Sequence, residues 1–159
     1  MYKFVLDADV TIKLAKAGLL QLLSENAQCV LPTPAYDEVM KGKEKAHTDA
    51  IITETLVIKS EITVIDVKIE QLPKLGKGES GVLTLFKQLR CDVIISDDRQ
   101  FISTLKLQNI NFMTSTDTIV WLFKSGKLER LNANTALEKI KYTVSGKAYQ
   151  TAKKDLEAN

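Results

Sequence analysis

A chain of 159 residues with 45% hydrophobic and 26% charged residues has the size and composition of one ordinary globular domain, which excludes disorder, a collagen-like repeat and a long coiled coil. Its formal net charge of +2, from 22 Lys and Arg against 20 Asp and Glu, does not identify a nucleic-acid binder but leaves room for separated charged patches. The only histidine, His47, excludes multi-histidine zinc sites and speaks against a Ser-His-Asp triad.

The N-terminal run Met1-Tyr2-Lys3-Phe4-Val5-Leu6-Asp7 has no leader-like apolar core, and no apolar stretch reaches spanning length. A cytoplasmic protein with no membrane span is therefore expected. Cys29 and Cys91 each head an apolar segment without C-x-x-C spacing, which reads as two buried, reduced thiols.

In chain order, short apolar runs alternate with longer helical segments. The expected strands are Phe4 to Leu6, Cys29 to Leu31, Ile62 to Ile65, Val93 to Ile95 and Ile110 to Met113, each apolar enough for a sheet covered on both faces. A helical stripe through Ile12, Leu14, Leu19 and Leu23 follows the first strand, with Gly18 as the break between two helices. After the second strand, Thr33 is expected as an N-cap and Pro34 at the first helical position. Ala46 to Lys59 reads as a helix, although its β-branched residues leave a strand open. Gly76-Lys77-Gly78 introduces a firmer helix through Val82, Leu85, Phe86 and Leu89. Further helices are expected over Thr116 to Lys124, about Asn134 to Lys141 and about Gly146 to Glu157.

This pattern predicts one domain over residues 1–159, a doubly wound three-layer α/β/α sandwich with helices of about 134–157 packed on it. In such folds ligands gather outside the carboxyl ends of the strands, at the point where the strand order reverses. Asp7 and Asp9 follow the first strand, and Asp97 and Asp98 follow the fourth. Any one of them alone is best read as a helix cap; two pairs at one sheet edge suggest a site. Glu79 precedes Val82 by three residues and Phe86 by seven, so its carboxylate lies on the apolar face of its helix. A first-turn Glu also stabilises a helix through the macrodipole, as Glu38 does early in the helix after the second strand.

Two carboxylates about 4 Å apart repel by about 4 kcal/mol at an effective dielectric near 20. If Asp7, Glu38, Glu79 and Asp98 converge, some protonate or a cation binds. With oxygen ligands alone the suitable cations are Mg²⁺ and Mn²⁺, which can activate water and stabilise charge on a phosphodiester.

These residues resemble the PIN-domain superfamily, most closely its small prokaryotic branch related to the toxin nucleases of toxin–antitoxin pairs. Four segments carry the resemblance: Val5-Leu6-Asp7-Ala8-Asp9-Val10 with the helices after it, Leu31-Pro32-Thr33-Pro34-Ala35-Tyr36-Asp37-Glu38-Val39, Gly78-Glu79-Ser80-Gly81-Val82-Leu83, and Ile94-Ile95-Ser96-Asp97-Asp98-Arg99. It implies a mainly parallel sheet of order 3-2-1-4-5, one or two Mg²⁺ or Mn²⁺ ions, and hydrolysis of RNA by activated water. In that plan Asp7, Glu38, Glu79 and Asp98 are catalytic, with Asp98 the principal ligand of the doubled acid, Asp97 its neighbour and Asp117 a further ligand unless it caps its helix. Asp9 stands where the family often has Asn or Ser, and Glu79 where many members have Asp. Lys13, Lys77 and Arg99 lie near the motifs and could hold RNA phosphates, although solvated charge is the commoner role for each and Arg99 could equally pair with Asp97. A toxin role, an antitoxin-type protein inhibitor and a homodimer enter from the resemblance alone. The competing readings are a catalytically weak PIN-fold module that binds RNA or protein, and a small phosphatase, for which no acidic nucleophile motif stands out.

Overall fold

The computed structural model describes residues 1–70 and 72–158. Five parallel strands form one sheet: β1 (Lys3–Leu6), β2 (Gln28–Pro32), β3 (Ile62–Ile65), β4 (Val93–Ile95) and β5 (Phe112–Met113), ordered β3-β2-β1-β4-β5. The order reverses between β1 and β4, and Val5 in the central strand pairs with both Val30 and Ile94. The helices are α1 (Ala8–Lys16), α2 (Leu20–Asn26), α3 (Thr33–Met40), α4 (Thr48–Ile58), α5 (Lys77–Leu89), α6 (Arg99–Leu107), α7 (Ser115–Lys124), α8 (Arg130–Ile140) and α9 (Gly146–Glu157).

Strand alternation divides the core into two. Phe4, Leu6, Cys29, Leu31 and Ile95 face a large cluster built with α1, α2, α4 and α7. Val5, Val30 and Ile94 face a smaller one built with α5 and α6. Because consecutive strand side chains point to opposite faces, strand segments buried on both sides must be continuously apolar, as Phe4–Leu6 of β1, Cys29–Pro32 of β2 and β4 are. Ala133, Ala136, Leu137, Ile140, Tyr149, Ala152 and Leu156 bring α8 and α9 into the larger cluster, and the Tyr149 hydroxyl donates to Glu138 to join the two helices. Among the described residues no helix is long and apolar enough to cross a membrane. Both cysteines are buried free thiols, and burial pushes Cys29 up to about 12 and Cys91 to about 11.

Three local expectations need correction, at the start of α3, in β5 and at the start of α8, while the helix expected over Ala46 to Lys59 stands as α4. Thr33 is the first residue of α3, and Pro32 occupies the cap position without a side-chain cap bond; β2 runs one residue further than its apolar stretch suggests, pairing Pro32 with Ile65. β5 is only Phe112–Met113, because the Ile110 amide donates to the Leu105 carbonyl at 3.0 Å and closes α6 instead of extending the strand. α4 is a helix despite its β-branched residues, with the Thr53 and Thr55 hydroxyls bonded back to the Asp49 and Ile51 carbonyls and Ala50, Thr53 and Leu56 buried. α8 begins at Arg130, four residues before Asn134, since fully buried Ala133 extends the apolar face in a way that a small side chain does not advertise.

Candidate active site

The carboxyl ends of β1 and β4 lead straight into helices, and an Asp caps each. Asp7 ends β1 and caps α1, its Oδ1 accepting the Val10 amide at 2.8 Å. Asp98 follows β4 and caps α6, its Oδ1 accepting the Phe101 amide at 2.7 Å. Between them stands Ser96, fully buried, whose Oγ accepts the Asp98 amide at 3.2 Å and whose hydroxyl hydrogen-bonds the Asp7 carboxylate. Capping and a role in the site are therefore compatible, because a cap bond uses one oxygen of a carboxylate and fixes its rotamer.

Asp7 is the member with perturbed chemistry. Burial pushes its carboxyl up to about 7; the Ser96 hydroxyl and Val10 amide pull it down, and the nearby charges of Asp9 and Asp97 push it up again. A carboxyl poised near neutrality in a cleft is the signature of a group awaiting a proton or a cation.

Glu38 and Glu79 reach the same place from α3 and α5, which pack against each other. Glu38 is exposed, and its Oε2 lies 3.7 Å from where a Cβ on Gly78 would stand. Glu79, two residues inside α5, folds its carboxylate back over the cap residue Gly76, where an added Cβ would meet Oε2 at 2.4 Å. Asp7, Glu38, Glu79 and Asp98 thus line one cleft of about 380 Å³, together with Asp9, Lys13, Asp97 and Arg99. That wall holds six carboxylates against two cations.

Asp97 points elsewhere. Its Oδ1 accepts the Ser115 amide at 2.7 Å, and its Oδ2 accepts the Ser115 hydroxyl at 2.6 Å and the Lys13 ammonium at 2.8 Å. Lys13 also pairs with Asp9 Oδ2 at 2.8 Å. Burial alone would lower the Lys13 pKa, but its hydrogen bonds to Asp9 and Asp97 outweigh burial and raise it. Two expectations change accordingly: Asp97 ties β4 to the start of α7, and Lys13 is a buried cross-link between carboxylates rather than a free phosphate binder. Asp117 stands outside the acidic cleft, exposed, in a reciprocal capping box with Thr114. Lys77 is exposed at the start of α5 and does not line the cleft, whereas Arg99 does.

Ser96, present in the fourth motif two residues before Asp98, links Asp7 and Asp98, while Ser115 as the anchor of Asp97 and Gly76 as the seat of Glu79 are not foreseen from the sequence. Only the last left a usable signal, in the Gly76-to-Glu79 spacing that matches a helix cap and its third residue. Gly76 has φ −66°, which suits any residue, so Gly76→Ala is expected to fold with unchanged or slightly raised Tm. Its Cβ must displace the Glu79 carboxylate, so any affinity of the cleft for a divalent cation such as Mn²⁺ is expected to fall about tenfold. Titration calorimetry together with a thermal melt reads both quantities.

A doubly wound α/β sheet with acids gathered at its switch point is an architecture suited to binding a ligand or cation at the strand ends. The chain matches the family DUF3368, described as a PIN domain, over residues 3–157, and it belongs to the PIN-domain family. Members of that family are generally nucleases and typically use divalent metal ions. No curated protein matches the chain.

Proposed function

We propose that this protein is a ribonuclease that uses Mg²⁺ or Mn²⁺ held by Asp7, Glu38, Glu79 and Asp98. The observation that carries the reading is one cleft lined by acids from four separate elements, with Asp7 left near neutrality by burial and by its acidic neighbours. The donor set is all carboxylate, the chemistry that hard divalent cations take. Among the described residues no three His, Cys, Asp or Glu side chains stand close enough to hold one ion as they are placed. Asp7 and Asp98 are fixed by their cap bonds, so closure falls to Glu38 and Glu79, whose side chains are one methylene longer.

A bound divalent cation supplies polarisation of the phosphodiester and a lowered pKa for water. The chain's own residues do the rest. Asp7 and Asp98, rotamer-locked by the Val10 and Phe101 amides, stand in the wall of the cleft. Ser96 keeps the two in register across the switch point. Arg99, at the first turn of α6, meets phosphate charge from the rim.

Incubation of a labelled single-stranded RNA with Mn²⁺ tests the reading. Cleavage is expected to stop in EDTA and to fall at least a hundredfold in Asp98→Asn; cleavage that survives both would overturn it. The separation of the carboxylates favours a second reading, a PIN-fold module that binds without cutting. That reading predicts a thermal melt indifferent to Mn²⁺, whereas the nuclease reading predicts stabilisation of about 2.7 kcal/mol at a hundred times the dissociation constant.

A further inference from the structure

The acidic cleft does not end at Arg99. A depression of about 330 Å³ shares Lys13, Asp97 and Arg99 with it. A second, of about 550 Å³, shares Arg99, Ile102, Thr114 and Ser145 with the first. The three form a continuous trench from the carboxylates, along α6 and across the starts of α7 and α9.

The charge reverses along the way. Beyond Arg99 the walls carry Lys106 and Lys147 against the single acid Asp117, whose carboxylate is occupied by the Thr114 amide at 3.0 Å. Among the described residues no ion pair engages Arg99, Lys106 or Lys147. The Lys106 ammonium lies 5.9 Å from the centroid of the Phe112 ring, which places a cation beside an aromatic face on the trench wall. The N-cap residues of α7 and α9, Thr114 and Ser145, open on the same trench and add the partial positive charge of two helix starts.

Resting on the nuclease reading of the acidic cleft, we propose that this trench carries the flanking segment of a single-stranded RNA substrate, with Arg99, Lys106 and Lys147 on successive phosphates and Phe112 beside a base. Cations and an aromatic along one groove form the usual platform for an unpaired strand. Continuity with a phosphodiester-cleaving cleft favours this occupant over an acidic protein.

Binding is read by fluorescence anisotropy with a labelled 12-nucleotide single-stranded RNA, on Asp98→Asn protein in EDTA so that nothing is cut. Lys106→Gln and Lys147→Gln are each expected to weaken binding three- to tenfold at low salt and to reduce the slope of log K against log salt by about 0.7. Lys59→Gln and Lys124→Gln, exposed and outside the trench, are expected to leave both unchanged. The proposal is overturned if the trench variants match the parent in affinity and slope, if an RNA duplex binds as tightly, or if polyglutamate competes as well as RNA. Failure of the nuclease reading gives a different result: no cleavage by the wild type with Mn²⁺, while the trench lysines still set the salt slope.

Discussion

Asp7→Asn is expected to stabilise the metal-free protein at pH 8 by about 2–4 kcal/mol while removing its stabilisation by Mn²⁺. The folded carboxyl titrates near 7 against an ordinary value of 3.8. Between those limits the folded state holds a proton that the unfolded chain has released, so stability falls as pH rises from about 4 to 7, by about 1.4 kcal/mol per unit. Above pH 7 the penalty of an ionised, buried Asp7 is complete, and below about pH 4 it vanishes. Asn retains an oxygen for the Val10 amide and cannot ionise, so the variant and wild type converge in acid and diverge in base. Urea denaturation in EDTA at pH 4, 6 and 8 measures the difference. A difference that stays flat with pH would show that the Asp7 carboxyl is not held up by burial.

The second large effect separates the doubled acid. Asp97→Ala leaves the buried Lys13 ammonium with Asp9 alone and takes away both Ser115 contacts. Because Lys13 keeps its pair with exposed Asp9, the loss falls below the roughly 3–5 kcal/mol of a fully stranded buried charge and is expected at about 2–3 kcal/mol. Asp98→Ala gives up one cap bond to the Phe101 amide, worth about 1 kcal/mol, yet is expected to abolish cleavage. Chemical denaturation and an RNA-cleavage assay on the two variants give opposite rankings if Asp97 fastens the fold and Asp98 serves the chemistry. A stable, inactive Asp97→Ala beside an active Asp98→Ala would exchange their roles.

Why the sequence leaves that pair ambiguous is a matter of one residue. Past Ile95 the chain leaves the sheet, so Asp97 turns toward α7 and Lys13 while Asp98 turns into the first turn of α6. Nothing local to Ser96-Asp97-Asp98 records that choice, since Lys13 lies 84 residues away. For the same reason Lys13 reads as a free cation from its neighbours alone. The strands are far more legible: the buried segments Phe4–Leu6, Cys29–Leu31 and Ile94–Ile95 must be continuous apolar runs, and the acids just after β1 and β4 fall at the switch point once the strand order is known. Glu79 was legible through its helical face and Glu38 only through its motif. The closing of α6 by Ile110 and the cap at Pro32 depend on backbone bonds that apolar patterning does not encode.

The proposed function requires Asp7, Glu38, Glu79 and Asp98 to act as one divalent-ion centre. Calorimetric titration of Mn²⁺ into the wild type and into Asp7→Asn, Glu38→Gln, Glu79→Gln and Asp98→Asn tests it most directly. Saturable binding by the wild type, weakened at least tenfold in each variant, is the predicted result. A wild type that binds no Mn²⁺, or four variants that bind it as tightly as the wild type, would contradict the account.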